Sequence, residues 1–200
     1  MHTTYRLFLT CLCLLLTIQH TKAQGDPAVE LIPKVEVGLM GLGMGLEYPV
    51  TQKGLIDLGV GMGGGYYKTE DEFRFSLNRS PVIYVNAGYR HMYNRQRMVL
   101  RGENTLHNAG SFVGGKLKYA SQSLSDPPID ELNGDISPRL NNTLLAEAHW
   151  GMQIPLTRRF FFNFHVGAGY AWDFDYGGGS IYPAVNVSAA YNLFSEKRRN

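Results

Sequence analysis

The chain has 200 residues with 19 Lys+Arg, 17 Asp+Glu and 6 His, a formal net charge of +2. A balance this close to neutral carries no basic footprint for nucleic acid. Its two cysteines, Cys11 and Cys13, are too few for a disulfide framework.

The first element is not part of the fold. In MHTTYRLFLTCLCLLLTIQHTKA a basic residue (Arg6) precedes an apolar run over residues 7–18, and Thr21-Lys22-Ala23 follows. That order describes a secretory signal peptide, with cleavage expected after Ala23. The run is short of the roughly 20 residues a transmembrane helix needs. A lipoprotein signal would need a small residue before its acceptor cysteine, whereas Cys11 and Cys13 lie inside the apolar run. Cleavage removes both cysteines, so the remaining domain, 24–200, has neither a disulfide nor a thiolate. Loss of Arg6 and Lys22 leaves 17 Lys+Arg against 17 Asp+Glu.

From there the chain alternates with period two, the signature of strands. Val35, Val37 and Leu39 alternate with Glu36 and Gly38; Leu42, Met44 and Leu46 alternate with glycines and Glu47. A turn over 49–54 leads to Ile56, Leu58, Val60 and Met62, opposed by Asp57 and more glycines. Gly59, Gly61 and Gly64 match a GxGxxG dinucleotide turn, but no helical apolar stripe follows in YYKTEDEFRFSLNRS. Small residues making room inside a narrow barrel are the better reading. A polar loop around Glu70, Asp71 and Glu72 precedes Ile83, Val85, Ala87 and Tyr89, which oppose Tyr84, Asn86 and Arg90. The basic connection 94–108, with Arg95, Arg97 and Arg101, has room for one helical turn.

Alternation resumes with Val113, Leu117 and Tyr119 outside and Phe112, Lys116 and Lys118 inside. Residues 122–142 are a loop by their Pro, Asp, Asn and Ser content, and the loop is acidic. Residues 143–154 put Leu144, Ala146, Ala148, Trp150, Met152 and Ile154 out, and Leu145, Glu147, His149 and Gln153 in. After a tight turn, FFFNFHVGAGYAW (160–172) puts Phe162, Phe164, Val166, Ala168, Tyr170 and Trp172 on one face, aromatic at both ends. The last strand carries Pro183, Val185, Val187, Ala189, Tyr191 and Leu193 outward.

An apolar outer face with aromatic ends, backed by a small and polar inner face, is the pattern of a transmembrane β-barrel. Reading 29–50 as one strand would give seven, and single-chain bacterial barrels have even numbers. Short turns and long loops also alternate consistently only if 33–39 and 42–48 are separate strands joined near Met40. The expected fold class is therefore all-β, an eight-stranded antiparallel up-and-down barrel. The C-terminus and the short turns lie at the periplasmic end, where basic residues collect, and the acidic loops lie outside.

These features resemble the small outer-membrane β-barrel families of Gram-negative bacteria, the OmpX-like and related barrels. The resemblance rests on the signal peptide, GLGMGLEY, GVGMGGGYY, GYRHMYNRQR and the final AYNLF, and it covers essentially all of 24–200. It implies a monomer in the cell outer membrane, in contact with lipid and lipopolysaccharide. It also implies delivery by the barrel assembly machinery, which reads the last strand. Phe194 is followed by SEKRRN, a departure from barrels that end on the aromatic residue itself.

Two residue sets follow from the alternation. The lipid-facing girdle is Tyr89, Tyr119, Trp150, Phe162, Tyr170, Trp172 and Tyr191. The luminal polar network is Glu47, Asp57, Arg90, Lys116, Lys118, Glu147, His149 and His165. Folding the 143–172 hairpin about Thr157 pairs residues whose numbers add to about 314, placing His149 opposite His165. A Glu–His–His group is able to act as an acid/base or metal site. Eight strands leave room for little but side chains, however, and charges there must be paired. The preferred reading is a satisfied network with no catalysis, no cofactor and no metal, and a plugged barrel with a structural or adhesion-like surface role. The alternatives are a lipid-modifying enzyme or narrow solute pore using Glu147, His149 and His165, and a soluble lipocalin-type barrel. Known lipid A deacylases place His and Ser on the lipid-facing surface, and the outward faces here carry no Ser–His pair beside a carboxylate. Palmitoyltransferases and barrel proteases need a histidine near the extracellular rim or above the membrane, and none accompanies Asp173 and Ser180 or lies in the extracellular loops.

Overall fold

The computed structural model describes residues 28–68, 73–77, 81–125 and 139–194. The expected signal peptide, the Glu70–Glu72 loop tip, most of the acidic loop and the SEKRRN tail lie outside the described residues. Eight strands form a closed antiparallel barrel, each paired with its sequence neighbours in the barrel and the last with the first. They are β1 (Ile32–Gly38), β2 (Gly41–Pro49), β3 (Gly54–Gly63), β6 (Val82–Met92), β7 (Gly110–Ala120), β8 (Thr143–Pro155), β9 (Phe160–Asp173) and β10 (Gly179–Asn192). The β1–β2 turn at Leu39 and Met40 separates two strands as the even count required.

Two segments differ from expectation. The region read as a polar loop contains a hairpin, β4 (Gly65–Lys68) with β5 (Phe73–Ser76), standing on the barrel's loop end. Its strands have four residues each, too short for alternation to stand out from a loop. The 94–109 connection forms a helix, α1 (Arg95–Leu100), then a 3-10 turn over Leu106–Asn108 that enters the barrel mouth.

Closure satisfies the backbone of a strand on both edges, which is why a sheet with an apolar outer face curls into a barrel. Outward side chains are exposed on every strand, among them Val37, Met44, Val60, Val85, Leu117, Trp150, Val166 and Val185. Inside, large side chains face glycines across the ladder: Tyr84 opposite Gly61, Asn86 opposite Gly59, Lys34 opposite Gly45 and His165 opposite Gly151. Steric exclusion explains the pairing, since eight strands enclose too little space for two large groups at one level. A Cβ on Gly61 would lie 2.4 Å from the Tyr84 ring. The GxGxxG match is thus a set of lumen clearances on β3 and the residue after it.

Gly61→Val is expected to destabilise the barrel by about 1–3 kcal/mol through overpacking. Adding Tyr84→Ala should recover much of that loss. The urea midpoint followed by tryptophan fluorescence checks both; equal midpoints for Gly61→Val and wild type would show that the lumen has slack.

Candidate functional site: the barrel lumen

The luminal charges divide into two groups. Near the turn end, β2 and β3 pair Glu47 with Asp57, and β3 pairs Asp57 with Gly88, two residues from Arg90. Lys34 reaches over Gly45 toward Glu47. The result is a buried ion cluster: Lys34 Nζ lies 3.2 Å from Glu47 Oε1 and 3.0 Å from Asp57 Oδ1. Arg90 lies 3.0 Å from Glu47 Oε1 and 2.9 Å from Asp57 Oδ2, with its guanidinium over the Phe112 ring. Each cation thus faces both buried carboxylates, and Lys34 also meets the partly exposed Glu36 at 3.3 Å, so the buried charges are paired.

The connection from β6 to β7 completes this cluster. Asn108, fully buried, donates to Glu47 Oε2 at 2.9 Å and to Glu30 O at 2.9 Å, and accepts from Glu30 N–H. Gln153 accepts from Arg90 and donates to Glu47 and to the His107 carbonyl. His107 stacks on Phe161 and meets Thr157 O and Asn192. Both His107 and Asn108 have φ of 53°, a left-handed conformation that asparagine tolerates better than most residues. With Leu55, Met92 and Phe112 packed alongside, this inserted turn stops the turn end of the lumen. Arg95, below the barrel, donates to the carbonyls of Thr105 and Ala28, and burial lowers its pKa.

Asn108→Ala is expected to cost about 1–3 kcal/mol, because buried partners on Glu30 and Glu47 lose their bonds. It should also free the connection, speeding tryptic cleavage at Arg95, Arg97 and Arg101 on gels. Unchanged cleavage would mean that the helix, not Asn108, holds the plug.

The second group lies higher. Glu147 Oε2 is 3.4 Å from Lys116 Nζ, 3.6 Å from His165 Nε2 and 4.0 Å from His149 Nδ1, and Tyr182 donates to Oε1 at 2.8 Å. The His149 and His165 rings stack with centroids 4.3 Å apart. The expected pairing of these histidines is corrected by two residues. His149 pairs with Gly167 and His165 with Gly151, since the hairpin turns about position 158. A shift of two keeps both rings on the inner face, so they meet diagonally instead of directly.

Glu147, His149 and His165 offer ligand atoms within 4.8 Å of one another, a set able to hold a transition metal. Lys116 already supplies Glu147 with a positive partner, so a divalent ion would have to displace it. Lys118, the remaining expected luminal residue, sits apart, its ammonium 4.7 Å from the Tyr84 ring centre and 5.4 Å from that of Tyr66. Thus Glu47, Asp57 and Arg90 form one unit and Lys116, Glu147, His149 and His165 another. Sequence reasoning passed over Lys34, Tyr182, His107 and Asn108. Lys34 and Tyr182 fall on the inner phase of their strands and were legible; the inserted turn has no periodic signal.

The loop end is filled by apolar groups, with Tyr66, Val82, Tyr84, Ala120, Leu140, Leu145 and Ala171 in contact. Between the two ends lies a cavity of about 270 Å³ lined in part by Lys34, Asp57, Lys116, Lys118, Glu147 and His165. Outside, the seven expected girdle residues all point away from the lumen. Along the strands they fall into two belts, Tyr89, Phe162 and Tyr191 toward the turn end and Tyr119, Tyr170 and Trp172 toward the loop end, with Trp150 between them as the direct partner of Val166. Trp150 Nε1 donates to Tyr93 at 2.7 Å, tying the outer wall of β8 to the β6–β7 connection.

No protein-family model, curated protein or solved structure matches the chain.

Proposed function

We propose that this chain is an integral β-barrel of a bacterial outer membrane, stopped along its axis and without turnover, that presents the 64–81, 121–142 and 174–178 loops for surface interaction. The observation that carries the reading is the outer wall. Val37, Leu42, Met44, Leu58, Val60, Met62, Ile83, Val85, Val113, Leu117, Val166 and Val185 are each more than two-fifths exposed on a continuous band. Such a band in water would be far larger than the few hundred Å² of contiguous apolar surface that soluble monomers tolerate. In lipid it is solvated, with aromatic belts at the two interfaces. The buried ion cluster and the inserted 106–108 turn support a stopper over a pore.

The full chain expressed with its leader should enter the outer-membrane fraction, resist salt extraction and dissolve in detergent. It should also migrate faster on gels unheated than boiled. Purely soluble behaviour would overturn the membrane assignment, and large stable single-channel currents in planar bilayers would overturn the stopper.

A further inference from the structure

The barrel wall is not of even height. β10 has 14 residues but β1 only 7, and their pairing ends at Gly38 with Ser188. Above that level, 179–187 of β10 pair with β9 on one edge. Among the described residues the other edge receives a single backbone bond, Leu39 N–H to Val187 O at 3.1 Å. In an antiparallel strand, the N–H and C=O of one residue point to the same side, and that side alternates along the chain. Val187, Val185, Pro183 and Ile181 therefore turn their backbone groups toward the open edge. An unpaired donor facing lipid is costly. The residue at 183 is proline, which has no donor there.

Among the described residues, the lining of the luminal cavity extends to this gap. Its lining includes Leu39 and Met40 on one side and the outward-facing Pro183 and Val185 on the other, with Phe75 and Leu77 of the β4–β5 region above. These six residues make an apolar rim. Inside, the same cavity is lined by Lys118, which is 3% exposed and whose Nζ has no hydrogen-bond partner among the described residues. Among the described residues this buried ammonium meets two aromatic faces and no hydrogen-bond acceptor, with Glu147 its attracting carboxylate at longer range. An anionic ligand group in contact with it would offset the cost of its burial.

We propose that the gap between β10 and the β1–β2 turn is a lateral port through which the lumen takes a single-chain fatty carboxylate from the surrounding membrane. The tail lies on the rim of Leu39, Met40, Phe75, Leu77, Pro183 and Val185, and the carboxylate meets Lys118. The cavity of about 270 Å³ lies just below the usual range for ligand pockets, roughly 300–1,000 Å³. It suits one chain and excludes a two-chain phospholipid. The proposal rests on the membrane reading above, since it takes its ligand from lipid.

The test is saturable binding of radiolabelled palmitate to the folded full-length barrel in nanodiscs, against cetyl alcohol (no charge) and acetate (no tail). Palmitate should bind and both comparison compounds should fail to displace it. Lys118→Met should weaken binding tenfold or more, the loss of one charge-assisted hydrogen bond. Val185→Trp, which fills the port from outside and leaves Lys118 in place, should slow uptake or abolish it. Unheated gel migration confirms that each variant is folded. No saturable palmitate binding, or binding unchanged in both folded variants, would overturn the port. Displacement by cetyl alcohol as strong as by palmitate would overturn the carboxylate assignment. Failure of the membrane reading looks different: the protein would stay out of the membrane fraction whatever it binds.

Discussion

Arg90→Met lowers the stability of the folded barrel by about 3–5 kcal/mol, the cost of leaving buried charge without its partner. Arg90 is 5% exposed and Glu47 fully buried, so bulk water is poorly placed to take over. The substitution removes the 3.0 Å and 2.9 Å contacts to Glu47 and Asp57 and the 2.8 Å bond to Gln153. Lys34 is then alone against the pair, with Glu36 also only 3.3 Å from its ammonium. Methionine keeps most of the packing volume over Phe112, which separates loss of charge from loss of contact. Urea unfolding in detergent micelles measures the effect. Adding Glu47→Gln should restore part of the loss by removing the stranded carboxylate, a coupling that a double-mutant cycle reads directly. A single-variant cost below about 1 kcal/mol, the range of solvent-exposed pairs, would mean that the cluster is hydrated and the lumen open at its turn end.

The second large effect tests what surrounds the barrel. Val166 sits midway along β9, between the two aromatic belts, and its side chain is exposed on the outer wall. Val166→Arg should destabilise a lipid-embedded barrel by about 2–4 kcal/mol, the penalty for a cation at the bilayer midplane. For a barrel in water, the same change at an exposed position would fall within about 0.5 kcal/mol. Leu100→Arg is the matched control, because Leu100 is 84% exposed on α1, outside the barrel wall. Folding yield into vesicles, read from unheated gel bands, should drop for Val166→Arg and stay level for Leu100→Arg. Equal yields would refute the assignment of the outer wall to lipid.

Most of the barrel was legible because period two acts residue by residue. In FFFNFHVGAGYAW each side chain's parity alone says whether it points to Val166's side or His165's side, and parity needs no knowledge of the neighbouring strand. The same parity placed Glu47, Arg90 and Glu147 inside and Trp150 and Tyr170 outside. Segments without a period were opaque. His107 and Asn108 enter the mouth on two left-handed residues, and the β4–β5 hairpin alternates for only four residues per strand.

What the sequence determined by itself was therefore the division of side chains between two faces and, from the even count and the alternation of turns with loops, the number of strands. What only the tertiary structure decided was who touches whom in the lumen. Contacts across a barrel depend on register and stagger, and a two-residue slip leaves every face unchanged while replacing every partner. His149 kept its face and lost its expected partner position to Gly167; Glu47 and Arg90, on strands not adjacent to one another, met only once the barrel closed.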